Sequence, residues 1–187
     1  MTFGGSVEGR ARARLFLGLR LPERTVDVLA PWQSETLAAA RGCRIVVPEN
    51  LHITLAFLGH RLVEELEGIA GALREAAAQA QPPSLSLRRY RETRSVGMLV
   101  FDDLEERATR FADDLHERLE ALGVYERERR PWLPHLTVLR FKQPPRLRPA
   151  LPELGEVSPS EAAVYHSLLH RGGAQYEVLE SVVLGGG

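Results

Sequence analysis

The feature that most constrains the fold is a short pattern that occurs twice. Residues 48–59 read PENLHITLAFLG and residues 131–141 read PWLPHLTVLRF, so each copy contains His-x-Thr-x with apolar residues at x and a proline upstream. The two histidines, His52 and His135, are 83 residues apart, close to half of the 187-residue chain. This spacing predicts two similar lobes, each of which contributes one strand to a shared site.

Each copy has the pattern of a strand that lines a cleft. Side chains alternate between the two faces of a strand, so residues two apart share a face. The first copy is then expected to present His52 and Thr54 on one face and its apolar residues, Ile53, Leu55 and Phe57, on the other. The second copy repeats this order with His135 and Thr137 opposite Leu136 and Val138.

Composition limits the classes of partner. An apolar content of 44% is enough to build a core, and the length suits one compact domain or two packed lobes. The formal net charge of −1 gives no general attraction to nucleic acid, so a polyanion must be held by a local patch or through one phosphate. Cys43 is the only cysteine, which excludes an intramolecular disulfide and a cysteine metal cluster, and no histidine or acid lies at a spacing that would make it a nucleophile.

No targeting or membrane segment is expected. The first 14 residues lack an apolar run of signal-peptide length, and no segment reaches the ~20 apolar residues of a membrane helix. The sequence therefore predicts a cytoplasmic protein without a membrane partner, and it shows no sign of an obligate protein partner. No nucleotide-binding loop or activated-lysine motif is present, so no cofactor is expected.

Periodicity predicts an α+β fold with mostly antiparallel sheets, preceded by a flexible tail over residues 1–13. Gly59 is expected to end the first motif strand. The helices are predicted over 22–40, 62–80 and 102–123, and the strands over 14–20, 44–47, the two motifs, 84–91, 97–101, 161–170 and 176–184.

Three other clusters invite a function. The run RRYRETR (88–94) is either a guide for an RNA backbone or a charged edge strand, and strand alternation favours the edge. His166 and His170 have the i, i+4 spacing of metal ligands on a helix, but their segment is predicted to be a strand, so no metal site is expected. His116, beside two aspartates on the third helix, is expected at the surface.

The paired motifs resemble those of the 2H phosphoesterase superfamily, and more narrowly the bacterial RNA 2′,3′-cyclic phosphodiesterases, which are also described as 2′-5′ RNA ligases. The resemblance runs from RLFLGLRLPE (14–23) through both motifs to YHSLLHRGGAQYEVLESVVL (165–184). It implies one bilobed domain over 14–187, with two pseudo-twofold-related lobes, sheets lining a central cleft and helices outside. It also implies that the last strands cross into the sheet of the first lobe.

Two histidines and two threonines can act on a phosphodiester without a metal or a covalent intermediate. Imidazole titrates near pH 6.5, so one ring can act as base and the other as acid, and hydroxyls donate hydrogen bonds to phosphate oxygens. By resemblance, the substrate is RNA ending in a 2′,3′-cyclic phosphate and the product a 2′-phosphate. His135 would activate water, His52 would protonate the departing 3′ oxygen, and Thr54 and Thr137 would hold the non-bridging oxygens.

The resemblance also implies two substrate-binding residues. Phe16 is either an aromatic that stacks on a base or a core residue. Arg140 corresponds to a phosphate-binding arginine, but strict alternation places it on the face opposite His135, so a bulge is required to turn it into the cleft. Leu133 stands where the family often has a basic residue, and Ile45 where it often has an aromatic. Both differences concern substrate preference.

Three other functions fit the same motifs. The same site could join RNA ends through a 2′-5′ linkage without ATP, although water in excess favours hydrolysis. It could act on another small cyclic nucleotide. The third function is that of an RNA-binding module whose site is catalytically inactive. The two intact motifs argue against it.

Overall fold

A nine-stranded antiparallel sheet dominates the computed structural model, which describes residues 11–38, 40–170 and 173–186. The strands are β1 (Arg12–Arg20), β2 (Cys43–Ile45), β3 (His52–Leu62), β4 (Leu85–Glu92), β5 (Val96–Asp103), β6 (His135–Phe141), β7 (Glu156–Val157), β8 (Glu161–His170) and β9 (Gly173–Val183). The helices are α1 (Glu23–Trp32), α2 (Leu66–Gln79) and α3 (Arg107–Ala121). The predicted α+β class is confirmed.

The order of the strands divides the sheet into two halves. It runs β7-β4-β5-β6-β3-β1-β8-β9, with β2 paired to β6. The motif strands β3 and β6 meet in the middle through one residue pair, Ile53 with Leu136. The last two strands lie beside β1, since β8 pairs with β1 and β9 with β8. The crossing of the late strands into the first lobe, which the resemblance implied, is therefore confirmed.

The apolar face of the sheet packs against the helices and leaves the opposite face for the cleft. One core cluster joins the sheet to the apolar stripes of the helices. On β1 the alternation is as predicted, because Leu15, Leu17 and Leu19 belong to this core while Phe16 packs in a separate aromatic cluster. The main core includes Leu29 of α1, Ile69 and Leu73 of α2, and Leu115 and Leu119 of α3.

Several predicted boundaries are wrong. Strand β1 begins at Arg12, inside the predicted tail, and the first ten residues of that tail lie outside the described residues. Gly59 does not end β3, since the strand continues to Leu62. Instead, Gly59 takes a positive φ of 69° beside a register shift in the pairing of β3 with β1. The α-helical part of the first predicted helix ends at Trp32, and a π-helical segment, Gln33–Leu37, follows it. The short strand β7 was not predicted.

The prediction that His116 lies at the surface is also wrong. It is only 3% exposed, and its Nε2 lies 2.8 Å from the carbonyl oxygen of Leu55. This hydrogen bond ties α3 to the strand of the first motif. A polar side chain buried with a partner is a structural link, since an unpaired one would destabilise the fold.

Among the residues that the structure describes, no helix combines the length and the apolar character needed to cross a membrane.

Candidate active site

The pair between Ile53 and Leu136 brings the two motifs side by side. Each of these residues stands between the histidine and the threonine of its motif, and the two strands run antiparallel. His52 therefore lies on the side of Thr137, and Thr54 on the side of His135. The two histidines occupy diagonal corners of a small rectangle, so a phosphorus atom at its centre would have one imidazole on each side.

The His52 ring is fixed through both nitrogens. Nδ1 lies 2.7 Å from the carbonyl oxygen of Asn50, and Nε2 lies 3.0 Å from the hydroxyl oxygen of Thr54. A carbonyl oxygen only accepts hydrogen bonds, so Nδ1 carries a proton and Nε2 of the neutral ring accepts from the hydroxyl. Asn50 is itself anchored, because its side-chain amide donates to the carbonyl oxygen of Ala174 on β9 at 2.7 Å.

His135 is held in the same way. Its Nδ1 lies 2.8 Å from the carbonyl oxygen of Leu133, two residues upstream, as Asn50 is for His52. The same tautomer follows, with Nε2 unprotonated in the neutral ring. The indole of Trp132 donates to the carbonyl oxygen of Thr54 at 3.0 Å, so the approach to the second motif is tied to the first.

Three aromatic rings pack around the His52 ring. The Phe16 ring lies 4.7 Å from the His52 ring and stacks on Tyr165, also at 4.7 Å and within 8° of parallel. Tyr176 meets Phe16 edge-on at 4.8 Å and the His52 ring at 5.4 Å. Phe16 is only 3% exposed, so it offers little surface to a base, and its role as a substrate contact stays a prediction. Its contacts indicate that it orients the His52 ring.

Burial lowers the pKa of His52 to about 4, against an ordinary value of 6.5. Desolvation of the charged ring is the largest cause, and the positive charges of Arg140 and His135 act in the same direction. The hydrogen bond to Asn50 opposes them. The unliganded protein therefore holds His52 neutral at pH 7.

This shift predicts a loss of stability at acidic pH. Below about pH 6.5 the unfolded chain takes up a proton at His52, whereas the folded protein resists that proton until about pH 4. The free energy of unfolding should fall by on the order of 2–3 kcal/mol from this group as the pH drops across that window, with no such effect above it. Urea denaturation of the wild type and His52→Asn at pH 7 and pH 4.5 measures it. The expected result is a weaker pH dependence in the variant, and equal pH dependence would contradict the shift.

A bulge turns Arg140 into the cleft. Between Thr137 and Leu139 the pairing of β6 with β5 shifts register, which leaves Val138 as an extra residue. Val138 and Leu139 are both buried, and Arg140 emerges exposed on the face of the histidines. The bulge that the sequence required for Arg140 is present. Its positive charge acts on His52, as the pKa of that ring shows.

The same bulge occurs in β3 and corrects the placement of Phe57. The pairing of β1 with β3 shifts between Thr54 and Ala56, so Leu55 is the extra residue. Phe57 is 50% exposed and lines the cleft, and its prediction on the apolar face with Ile53 is wrong. Phe57 follows its histidine by five residues, as Arg140 does. The two lobes therefore present different side chains, one aromatic and one cationic, at equivalent positions.

The cleft has a volume of about 320 Å³ and a basic lining. Arg44 and Arg140 are direct cross-strand neighbours on β2 and β6 and place two positive charges at one end. None of the described residues that line it is acidic. Of the predicted site residues, Phe16, His52, Thr54 and Arg140 line the cleft, whereas His135 and Thr137 of the second motif do not. The other lining residues are Arg14, Arg44, Phe57, Ser167, Leu169, His170, Gly173, Ala174 and Tyr176.

The absence of a side chain at Gly18 makes room for the His52 ring. A Cβ at this position would lie 3.1 Å from the carbonyl oxygen of Ile53 and 3.2 Å from Cδ2 of His52. We expect Gly18→Ala to destabilise the fold by about 1–3 kcal/mol and to lower kcat by displacing the ring. Gly71→Ala on α2 is the control, since a Cβ there would meet only Nη2 of Arg74, at an ordinary contact distance of 3.8 Å, and alanine favours a helix. Thermal melting and turnover of both variants measure the effect, and wild-type kcat in Gly18→Ala would contradict it.

Of the remaining clusters, only His170 shares the cleft with the first motif. His166 faces Glu177 at 3.7 Å while His170 lines the cleft, and the described part of the chain holds no group of three or more potential metal ligands. Burial and the charge of Glu92 raise the pKa of the Cys43 thiol. No residue of the run 88–94 lines the cleft, and Arg88 pairs with Asp102 at 3.3 Å, which favours the edge-strand interpretation.

A family model described as the 2′-5′ RNA ligase superfamily matches residues 25–173. A curated relative from Thermus thermophilus, named an RNA 2′,3′-cyclic phosphodiesterase, is 34% identical over 184 residues, which cover 92% of this chain and 91% of that protein. A solved structure from the same species superposes with a TM-score of 0.77 at 30% identity, covering 92% of this chain and 98% of that one. E. coli LigT in apo form gives 0.76 at 25% identity, with the same coverage.

The fold and the paired motifs define a 2H phosphoesterase, and the resemblance stated from the sequence is confirmed. The chain belongs to the 2′-5′ RNA ligase superfamily.

Proposed function

We propose that this protein hydrolyses the 2′,3′-cyclic phosphate at RNA ends to a 2′-phosphate by general acid–base catalysis. The observation that carries the proposal is the pairing of Ile53 with Leu136, which sets the two histidines at diagonal corners of the paired motifs. The basic cleft that His52 and Thr54 line lies beside this pair. An in-line displacement at phosphorus needs a base and an acid on opposite sides. The relatives named RNA 2′,3′-cyclic phosphodiesterases support the same reaction.

The chemical step needs only side chains of this chain. Nε2 of His135 takes a proton from water as the water oxygen bonds to phosphorus. The bond from phosphorus to the 3′ oxygen breaks, and that oxygen takes the proton from Nε2 of His52. The hydroxyls of Thr54 and Thr137, with the guanidinium of Arg140, hold the non-bridging oxygens as charge develops on them. Proton exchange with solvent then restores both rings.

His52 has to gain a proton for this role, since it is neutral in the unliganded protein. Its Nδ1 already donates to Asn50, so the second proton enters at Nε2 and makes an imidazolium. A bound phosphodiester brings a negative charge between His52 and Arg140. That charge opposes the two causes that lower the pKa of His52, desolvation first and the repulsion from Arg140 and His135 second, so substrate binding and protonation support each other.

The product should be a 2′-phosphate. The motifs are nearly symmetric, but Phe57 and Arg140 make the two ends of the cleft different. An aromatic ring suits a base and a guanidinium suits a phosphate, so the nucleotide has one preferred direction. With the 3′ oxygen beside His52, water opens the ring to leave the phosphate on the 2′ oxygen.

Phosphorus NMR or chromatography of digested adenosine 2′,3′-cyclic phosphate separates the two monophosphate isomers. The expected result is predominantly 2′-AMP. A predominantly 3′-AMP product would reverse the orientation while leaving a two-histidine mechanism intact.

A substrate panel tests the function as a whole. RNA with 2′,3′-cyclic phosphate, linear phosphate or hydroxyl ends, and a 3′,5′-cyclic mononucleotide, are assayed in EDTA. We expect turnover of the 2′,3′-cyclic phosphate alone, with EDTA causing no loss. Faster turnover of the 3′,5′-cyclic nucleotide, accumulation of a joined product with a 5′-hydroxyl RNA, or binding without turnover would each support one of the other functions instead.

A further inference from the structure

The end of the cleft beyond Phe57 holds a guanidinium that the proposed mechanism does not use. Nη1 of Arg14, on β1, donates to the hydroxyl of Ser167 on β8 at 3.0 Å. Cζ of the same side chain lies 4.8 Å from the centroid of the Phe57 ring. Arg14 is half-buried and lines the cleft with both partners. Two contacts from different strands hold the planar guanidinium in place, an arrangement suited to bind phosphate.

The register of β1 on β3 fixes the position of Arg14 relative to the motifs. Gly18 pairs with Thr54, and Phe16 pairs with Phe57. Arg14 comes two residues further on the same face, about 13 Å along the strand from Gly18. The ring of Phe57 therefore lies between the motif pair and Arg14.

Arg140 occupies the other side of the site. On β6 it continues past Thr137, on the side where the antiparallel register places His52. Arg14 and Arg140 are thus on opposite sides of the paired motifs, although both line one cleft. A phosphate held between the motifs is near Arg140 but too far along β1 to be the natural partner of Arg14.

RNA carries a second phosphate that matches this geometry. The terminal nucleotide of an RNA has a phosphodiester on its 5′ side, separated from the cyclic phosphate by the sugar. If the cyclic phosphate lies between the motifs and the base lies near Phe57, the chain leaves the site past Phe57. Since none of the described cleft residues is acidic, nothing in the lining repels that phosphate.

We propose that Arg14, held in place by Ser167, forms a subsite for the phosphate on the 5′ side of the terminal nucleotide, so that the enzyme prefers RNA ends over cyclic mononucleosides. This inference rests on the proposed function. Arg14 supplies the charge, and the hydroxyl of Ser167, which is only 4% exposed, holds the guanidinium in place.

Two small substrates isolate this contact. Adenosine 2′,3′-cyclic phosphate with and without a 5′-phosphate differ only in the group that Arg14 is proposed to bind. We expect the wild type to have a kcat/KM about tenfold higher with the 5′-phosphate, the effect of one hydrogen-bonded ion pair. Arg14→Gln should abolish that preference, because it lowers kcat/KM about tenfold more with the 5′-phosphate than without it.

Two variants serve as controls. Arg14→Lys keeps the charge but not the fork of donors, and we expect it to retain part of the preference. Arg88→Gln makes the same change outside the cleft and should behave as the wild type. Thermal melting of each variant verifies folding. If the wild type shows no preference, or Arg14→Gln lowers kcat/KM equally with both substrates, the subsite is refuted.

Salt dependence gives an independent measure. For the dinucleotide ApA with a 2′,3′-cyclic phosphate end, the slope of log kcat/KM against log salt should be shallower in Arg14→Gln by about 0.7, the value for one contact to a single strand. An identical slope would overturn the subsite. Failure of the wild type to hydrolyse any of these cyclic phosphates would overturn the proposed function itself, whereas loss of the preference alone overturns only the role of Arg14.

Discussion

His52→Ala and His135→Ala should each retain less than about 1% of the wild-type kcat on a 2′,3′-cyclic phosphate, because one proton-transfer role supplies roughly 10² to 10⁴ in rate. The two rings lie on opposite sides of the position where phosphorus would bind, so neither can take over the role of the other. Their Nδ1 atoms are both fixed by backbone carbonyl groups, which leaves one Nε2 atom for each proton transfer. Single-turnover kinetics of the purified variants measure the loss directly.

A third histidine provides the matched control. His60 lies on the same strand as His52, near its far end, is exposed and does not line the cleft. His60→Ala should therefore keep the wild-type kcat. Retention of more than about a tenth of the rate in either motif variant would show that the acid–base pairing is wrong, since even the weakest such role is worth roughly 10².

The variant that lacks both histidines tests whether His52 and His135 act in one chemical step or in two independent steps. When two groups act together in one displacement, removal of the second costs little after the first has been lost. We expect His52→Ala combined with His135→Ala to be close in rate to the slower single variant.

The motif strands could be predicted because alternation relates side chains to faces. His-x-Thr places both polar groups on one face wherever a strand has a buried side, and a one-residue slip would bury them. The fold class followed from the same kind of pattern. The place of β8 and β9 beside β1 could come only from the resemblance, because pairing between strands far apart in the chain leaves no local periodicity.

The bulges explain why the sequence pattern placed Phe57 on the wrong face of its strand and did not decide the face of Arg140. An extra residue reverses the alternation beyond it, so a strict period of two fails after the bulge. A signal was present in both copies, since two consecutive apolar residues follow each threonine, Leu55-Ala56 and Val138-Leu139. Their repetition at the same position predicts two bulges in the same place.

His116 was misjudged for a different reason. The aspartates beside it indicated a solvated face, but it follows Ala112 by four residues and precedes Leu119 by three, which is the phase of the buried stripe. Its partner, the carbonyl oxygen of Leu55, lies on another element, and no local pattern shows which distant carbonyl group a buried imidazole will meet.

Thr54→Val and Thr137→Val should each lower kcat/KM by roughly 100- to 1,000-fold, since loss of one well-placed transition-state donor costs about 2.7–4 kcal/mol. Valine has nearly the same shape as threonine, so the strands should keep their register. The two variants should differ in one respect. The hydroxyl of Thr54 also contacts Nε2 of His52 at 3.0 Å, so Thr54→Val frees the ring that we propose as the proton donor, and its loss should be the larger.

Thr25 on α1 is the control for the isosteric change. It is 2% exposed, and its hydroxyl has no hydrogen-bond partner within the described ranges. Thr25→Val should leave kcat/KM unchanged and be neutral or stabilising, because it removes a buried unsatisfied polar group. Unchanged kcat/KM in both motif variants would mean that the threonines only pack beside the histidines. The phosphate oxygens would then need another donor, and Arg140, whose charge acts on His52, is the candidate.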